Sequence, residues 1–206
     1  MHTFVVRLWL PDRPGALGQV ASRIGAVHGD VVGIEILERG GGSAIDDLTV
    51  SLPDAGLVDL LIAEIRQVDG VAVEDVRPVP ADRPDGSMAG LTTAATIVGA
   101  SSIDRLAAAC MALRELLDAD WAIALCMDGP RAVAQSGETP DLEWLAAFFL
   151  GSEHLSKEHE NTPGDLVWAR LAQRGVVLAA GRSGRVFHAR ERDEFRVLGS
   201  IVDALN

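Results

Sequence analysis

At 206 residues and 21.8 kDa, 48% of them apolar, the chain has room for one large core or for two domains of about 100 residues each. Its charges are so dispersed that no apolar run approaches the ~20 residues a helix needs to cross a bilayer, and a soluble globular protein is expected. The formal charge of −12 divides evenly, with 6 Arg against 12 acids in residues 1–80 and 12 Lys or Arg against 18 acids in residues 81–206, so neither part offers the basic surface a nucleic acid needs.

The N-terminus, "MHTFVVRLWLPDR", has neither the basic start nor the small-residue cleavage site of a signal peptide, and the expected location is the cytoplasm. Phe4, Val6, Leu8 and Leu10 alternate with Val5, Arg7 and Trp9, the period of a strand with one buried face. From Pro14 the period turns helical. Leu17, Val20, Ile24 and Val27 share one stripe, and Gly29 is the expected left-handed stop. Val32, Ile34 and Ile36 then alternate with Gly33, Glu35 and Leu37, and "RGGGS" at Arg39–Ser43 turns the chain into Leu48, Val50 and Leu52, a hairpin. Pro53 and Asp54 open a second helix striped by Val58, Leu61, Ile65 and Val68, which Gly70 ends before the strand "VAVEDVRPV". The order βαββαβ predicts an α+β, ferredoxin-like domain over residues 1–80, a four-stranded antiparallel sheet with both helices on one face. The other face carries Val5 and Trp9 and is expected to meet a partner subunit or the second domain.

Pro80 to Thr93, "PADRPDGSMAGLTT", has no apolar period and reads as a linker, set at residues 81–96. In residues 97–206, Ser101 and Asp104 predict a capping box for a helix striped by Ile103, Leu106, Cys110, Leu113 and Leu117. "WAIALCM" is apolar throughout, as a central strand is, and "DGP" turns it into "RAVAQS". Thr139-Pro140 starts a helix with Leu142, Leu145, Ala146 and Phe149 inward, and residues 152–164 read as a polar surface loop. "LVWARL" and "VVLAAGR" predict further strands, and Phe195, Leu198, Ile201 and Leu205 stripe a last helix.

The junction "LPDRPGALGQV" can do more than turn the chain. Pro14 at the first helical turn leaves the amides of Gly15, Ala16 and Leu17 without intrahelical acceptors, and the helix dipole adds partial positive charge there. An anion suits such a place. Gly15 allows close approach, and Asp12 offers a carboxylate to an ammonium, so the pair suits an α-amino acid. The alternative is that Asp12 only caps the helix while Pro14 and Gly15 shape the turn.

This segment, "FVVRLWLPDRPGALGQVASRIGAVHGDVVGIEIL", with the hairpin, helix and strand after it, resembles an ACT domain over residues 3–79. The resemblance implies a regulatory module that binds amino acids as a homodimer, the loop after the first strand of one copy facing the second strand of its neighbour. Carried over, the ligand-binding residues are Asp12, Pro14, Gly15, Ala16 and Leu17, opposed by Val31, Val32 and Gly33. Members that bind serine-like ligands often have asparagine where this chain has Val31, which weakens polar readout and leaves an apolar amino acid, or no ligand. Residues 97–205 resemble a GAF domain, most clearly in "VVLAAGRSGRVFHARERDEFRVLGSIVDAL", without a cyclic-nucleotide or chromophore signature. That resemblance implies an antiparallel sheet flanked by helices and a small-ligand or dimerising role.

No catalytic set emerges. Lys157 is the sole lysine and tyrosine is absent. Cys110 and Cys126 lie in apolar patterns that suit buried reduced thiols, which argues against the clustered-cysteine redox chemistry of some GAF relatives. His2 and His28 are isolated, and His188 reads as structural or solvent-facing on a surface helix. In "SEHLSKEHE", Glu153, His154, Glu158 and His159 form a solvated charge run rather than a metal site, since His154 and His159 are five apart instead of four. "GRSGR" reads as a hairpin turn between strands in preference to a phosphate loop. Trp121, Trp144 and Trp168 read as core. The expectation is a non-catalytic cytoplasmic sensor, without metal or cofactor, in which an amino acid at a homodimer seam is coupled to the second domain. A ligand-free dimerising module that docks on another protein is the alternative, and hydrolytic or redox chemistry in the second domain a third reading.

Overall fold

The computed structural model describes residues 1–152 and 163–205. They divide into two compact units, Met1–Gly86 and Ser87–Asn206. In the first, β1 (His2–Pro11), α1 (Ala16–Ala26), β2 (Asp30–Gly40), β3 (Ser43–Leu52), α2 (Val58–Ile65) and β4 (Ala72–Val79) build an antiparallel sheet of order β2-β3-β1-β4. This is the ferredoxin-like arrangement predicted from the periodicity. Alternation turns Val6, Leu8, Leu48 and Val50 to one face, where they pack against Val20 and Ile24 of α1 and Leu61 and Ile65 of α2. A short 3₁₀ turn, Ala55–Leu57, precedes α2, and its Asp54 cap accepts from the Gly56 amide at 2.9 Å.

The left-handed residue closing α1 is His28, with φ 60°, and not Gly29 as expected. Gly29 is needed for space instead. A Cβ there would stand 2.9 Å from Ile24 Cγ2 and 3.0 Å from Leu52 Cδ2.

The sheet's other face holds a charged lattice. Arg7 and Asp47, opposite each other on β1 and β3, form a two-pronged pair at 2.8 and 2.9 Å, and Arg77 of β4 bridges Asp47 at 3.3 Å and Asp75 at 3.0 Å. Val5 is buried there, whereas Trp9 is 42% exposed and its indole N–H donates to Glu74. Pro80–Asp85 and this face enclose a cavity of about 100 Å³, lined also by Val5, Val32, Gly33 and Glu35.

The stretch read as a linker is helical from Gly86: α3 spans Gly86–Gly99. Its three glycines and three threonines hide a stripe of only two fully buried residues, Thr93 and Ile97. The second unit continues with α4 (Arg105–Leu116), β5 (Trp121–Cys126), β6 (Arg131–Ser136), α5 (Leu142–Ser152), β7 (Leu166–Leu171), β8 (Val176–Gly181) and α6 (Ala189–Ala204). Its antiparallel sheet has the order β6-β5-β8-β7, so the all-apolar β5 is central. Even the small residues Ala122, Ala124 and Ala180 face one core with Cys110, Leu113, Phe195 and Leu198, while Trp121, Ile123, Leu125 and Val177 face a second core with Leu145 and Phe149 of α5. Helices flank both faces, as expected. Ile103, predicted on the α4 stripe, is 91% exposed, because α4 begins only after the Ser101–Asp104 turn. Trp144 is exposed as well, stacked on Phe148 with ring centroids 5.8 Å apart. Among the described residues no helix is long and apolar enough to cross a membrane.

Candidate functional site

The predicted site begins where β1 gives way to α1. Gly15 is the N-cap of α1 and sits at φ 88°, ψ −13°, a left-handed conformation that a side chain strains. No side chain caps the helix. Asp12 is exposed and its own amide is tied to the Gly42 carbonyl at 3.0 Å, so it belongs to the hairpin end of the sheet instead of serving as the cap. The Ala16 amide reaches the Arg13 carbonyl at 3.3 Å. Among the described residues the amides of Gly15, Leu17 and Gly18 have no acceptor, and Gly15 and Gly18 are exposed. Pro14 is exposed and Leu17 half-buried against the core, while Ala16 is buried in it.

Val31, Val32 and Gly33 lie on β2, an edge strand. Val31 pairs with Val50 and Gly33 with Thr49, and the register shift between them leaves Val32 as the bulged, exposed residue. These three stand at the other end of the sheet from the α1 corner. Val31 shares a row with Val50 and Phe4, whereas the corner follows the Pro11–Ser43 pair. One copy of the chain therefore does not bring the two halves of the predicted site together.

One residue near the corner was missed by sequence reasoning. Asp46 lies on the helix-bearing face of β3, between Ala44 and Leu48, paired with Leu8 and Ile36. It is 4% exposed and its Oδ1 has no hydrogen-bond partner. Burial pushes its carboxyl above the ordinary carboxylate value, the charges of Asp12 and Asp47 add to this, and Arg39 opposes it. Its neighbour Asp47 behaves in the opposite way. Burial alone would raise that carboxyl, but the hydrogen bonds and charge of Arg7, with those of Arg77, outweigh it and hold Asp47 below the ordinary range. The signal available in the sequence was an acid at an inward position of the run Ala44, Leu48, Val50 and Leu52.

The second unit's chemically suggestive residues are absorbed by its architecture. "GRSGR" leads into α6, and no hairpin forms there. Arg182 is buried, bound to both carboxylate oxygens of Glu191 at 2.9 Å and to the Leu117 and Val186 carbonyls at 2.6 Å, with its guanidinium 4.0 Å from the centre of the Phe187 ring. His188 is buried and structural, the first of the two positions expected for it, and forms the α6 N-cap in a capping box where its amide donates to Glu191 at 2.8 Å. Burial pushes the Cys110 thiol up to about 12, far from a reactive thiolate, and Cys126 is half-buried. Glu153, His154, Glu158 and His159 lie outside the described residues.

No family model and no curated protein matches the chain. Among solved structures it is similar to a protein of unknown function from Galdieria sulphuraria, at 18% identity and TM-score 0.35, over 48% of this chain and 66%, just under two thirds, of that one. The ACT domain from GTP pyrophosphokinase of Chlorobium tepidum is similar at 18% identity and TM-score 0.31, over 38% of this chain and all of that domain. The C-terminal domain of the MgtC protein from Mycobacterium tuberculosis is similar at 15% identity and TM-score 0.33, over 40% of this chain and 93% of that domain.

Proposed function

We propose that the chain is a non-catalytic regulatory protein whose first unit binds an amino acid at a seam between two copies, and whose second, GAF-like unit passes the binding event on. The observation that carries this reading is the uncapped start of α1. Three amides aim their hydrogens out of a helix whose dipole favours an anion, and the one acid expected to cap them, Asp12, does not. A ligand carboxylate fits those donors, and Asp12 remains available to its ammonium.

The edge position of β2 supports the two-copy arrangement. Val32, Ile34 and Ile36 are exposed apolar residues on a strand with a free edge. Antiparallel pairing of two β2 edges carries Val31–Gly33 of one copy to the end of the sheet where the other copy's α1 begins. That would join the two halves of the predicted site. An apolar lining at Val31 and Val32 favours an apolar amino acid. Ligand then acts by binding one arrangement of the two copies more tightly than another. The same exposed β2 edge supports a second reading, a ligand-free dimerising module.

Thermal-shift measurements with each of the twenty amino acids separate the two. The sensing reading expects a shift with one or a few of them that disappears in Asp12→Ala, and a flat panel favours the docking module.

A further inference from the structure

We propose that Asp46 is the amine-recognising group of the α1 corner, so that this site takes a small ligand in which a primary ammonium stands beside a carboxylate. The proposal rests on the binding reading above and adds the residue that sets selectivity. Asp46 stands, almost fully buried, on a face that is otherwise apolar, and the fold gives its Oδ1 no donor. A buried carboxylate oxygen in that condition is destabilising unless something donates to it. The chain shows next door how it satisfies such a group. Asp47 receives two bonds from Arg7 and one from Arg77. Asp46 receives none of these, and Arg39, whose charge it feels, makes no hydrogen bond to it.

The surroundings of Asp46 describe the missing donor. Asp12 follows the end of β1, whose Leu8 pairs with Asp46 and whose Pro11 pairs with Ser43, and the two negative charges act on each other, so a cation between them relieves both. An ammonium group brings three donors and no acceptor, which suits two carboxylates at once. The unmet amides of Leu17 and Gly18 offer the complementary positive end for a carboxylate. Ile36, directly across from Asp46 on β2, and Ile34 beside it are half-exposed aliphatic residues on the same face, matched to an aliphatic side chain. Fixed acid, fixed donors and an apolar strip thus describe an aliphatic α-amino acid, with Asp46 reading the amine.

The test is calorimetric titration of wild type, Asp46→Asn and Asp46→Leu with L-leucine and L-valine, each against its deaminated counterpart, 4-methylpentanoate or 3-methylbutanoate. Wild type is expected to prefer an amino acid over its counterpart by about tenfold or more, the scale of a hydrogen bond to a charged group, and both variants to lose that preference while keeping their affinity for the deaminated acid. Thermal melting provides a second readout. Asp46→Asn is expected to be at least as stable as wild type, because it removes an unmatched buried charge. Persistence of the preference in Asp46→Asn, or a melting point several degrees lower in that variant, overturns the assignment. Equal wild-type affinity for both members of each pair also overturns it, yet leaves the corner standing as a carboxylate site. Wild type that binds neither member overturns the binding reading and this proposal together.

Discussion

Two helices of this chain begin in opposite ways. At the start of α6, Glu191 closes a capping box with His188 while its oxygens hold the buried Arg182, and Arg182 in turn ties down the Leu117 and Val186 carbonyls. At the start of α1 a left-handed glycine replaces the cap, three amides go unmet, and a buried aspartate nearby keeps an unmatched oxygen. Both starts place arginine and glycine in the turn before an amphipathic helix. The chain thus has the chemistry to close such a junction and uses it at only one of the two. Stability alone would favour closing both, since a cap is worth about 1 kcal/mol. The open start leaves those exposed groups to solvent or, on the proposed reading, to a ligand carboxylate.

Breaking the closed start has the largest expected effect. Glu191→Ala removes half the cap and leaves Arg182 buried without its acid, and should cost about 3–5 kcal/mol in denaturant unfolding. A change of less than 1 kcal/mol would mean that α6 does not depend on this network. Asp47→Asn tests a matched acid away from any helix start and should cost about 3 kcal/mol by the same logic. Its pH signature is specific. Because Asp47 is held below its ordinary 3.8, its contribution is complete above that value and is lost as the pH falls through the depressed one, so wild type should show an acid-side drop that Asp47→Asn lacks. Asp46 has the reverse sign, since a raised carboxyl penalises folding above its shifted value and the penalty fades as the pH falls toward 3.8. His188→Ala should cost about 1 kcal/mol, read from the same unfolding curves. Asp12→Ala sharpens the contrast from the other side. It caps nothing, so unfolding should move by less than about 0.5 kcal/mol while any amino-acid-induced thermal shift is lost. A loss near that of His188→Ala would make Asp12 structural after all.

Strands and helices were legible wherever one face is buried, because burial imposes a period. β1, β3 and α1 announce themselves through Val6, Leu8, Leu48, Val20 and Ile24, and the order of those periods was enough for the ferredoxin-like arrangement. What stayed hidden lacked a period or broke one. The helix at Gly86–Gly99 has few buried residues to mark it, and Ile103 and Trp144 are large apolar residues whose solvent exposure no local pattern forbids. The left-handed turn at His28 instead of Gly29 depends on the space Ile24 and Leu52 leave, a tertiary fact. At the candidate site the α1 corner could be read from "PDRPGAL", but the separation of its two halves along the sheet depends on strand register, and Asp46 is a single polar interruption in an apolar series.

Trp9 gives the first unit an optical handle. It is the sole tryptophan before residue 121, the chain has no tyrosine, and its indole, three positions ahead of Asp12 along the same strand end, is bonded to Glu74 and partly open to water. With Trp121, Trp144 and Trp168 replaced by phenylalanine, emission excited near the red edge of indole absorption comes from that ring alone. Changes in its colour or quenching then report on the first unit alone, from the face of the sheet opposite α1, without a label and without crosstalk from the rest of the polypeptide.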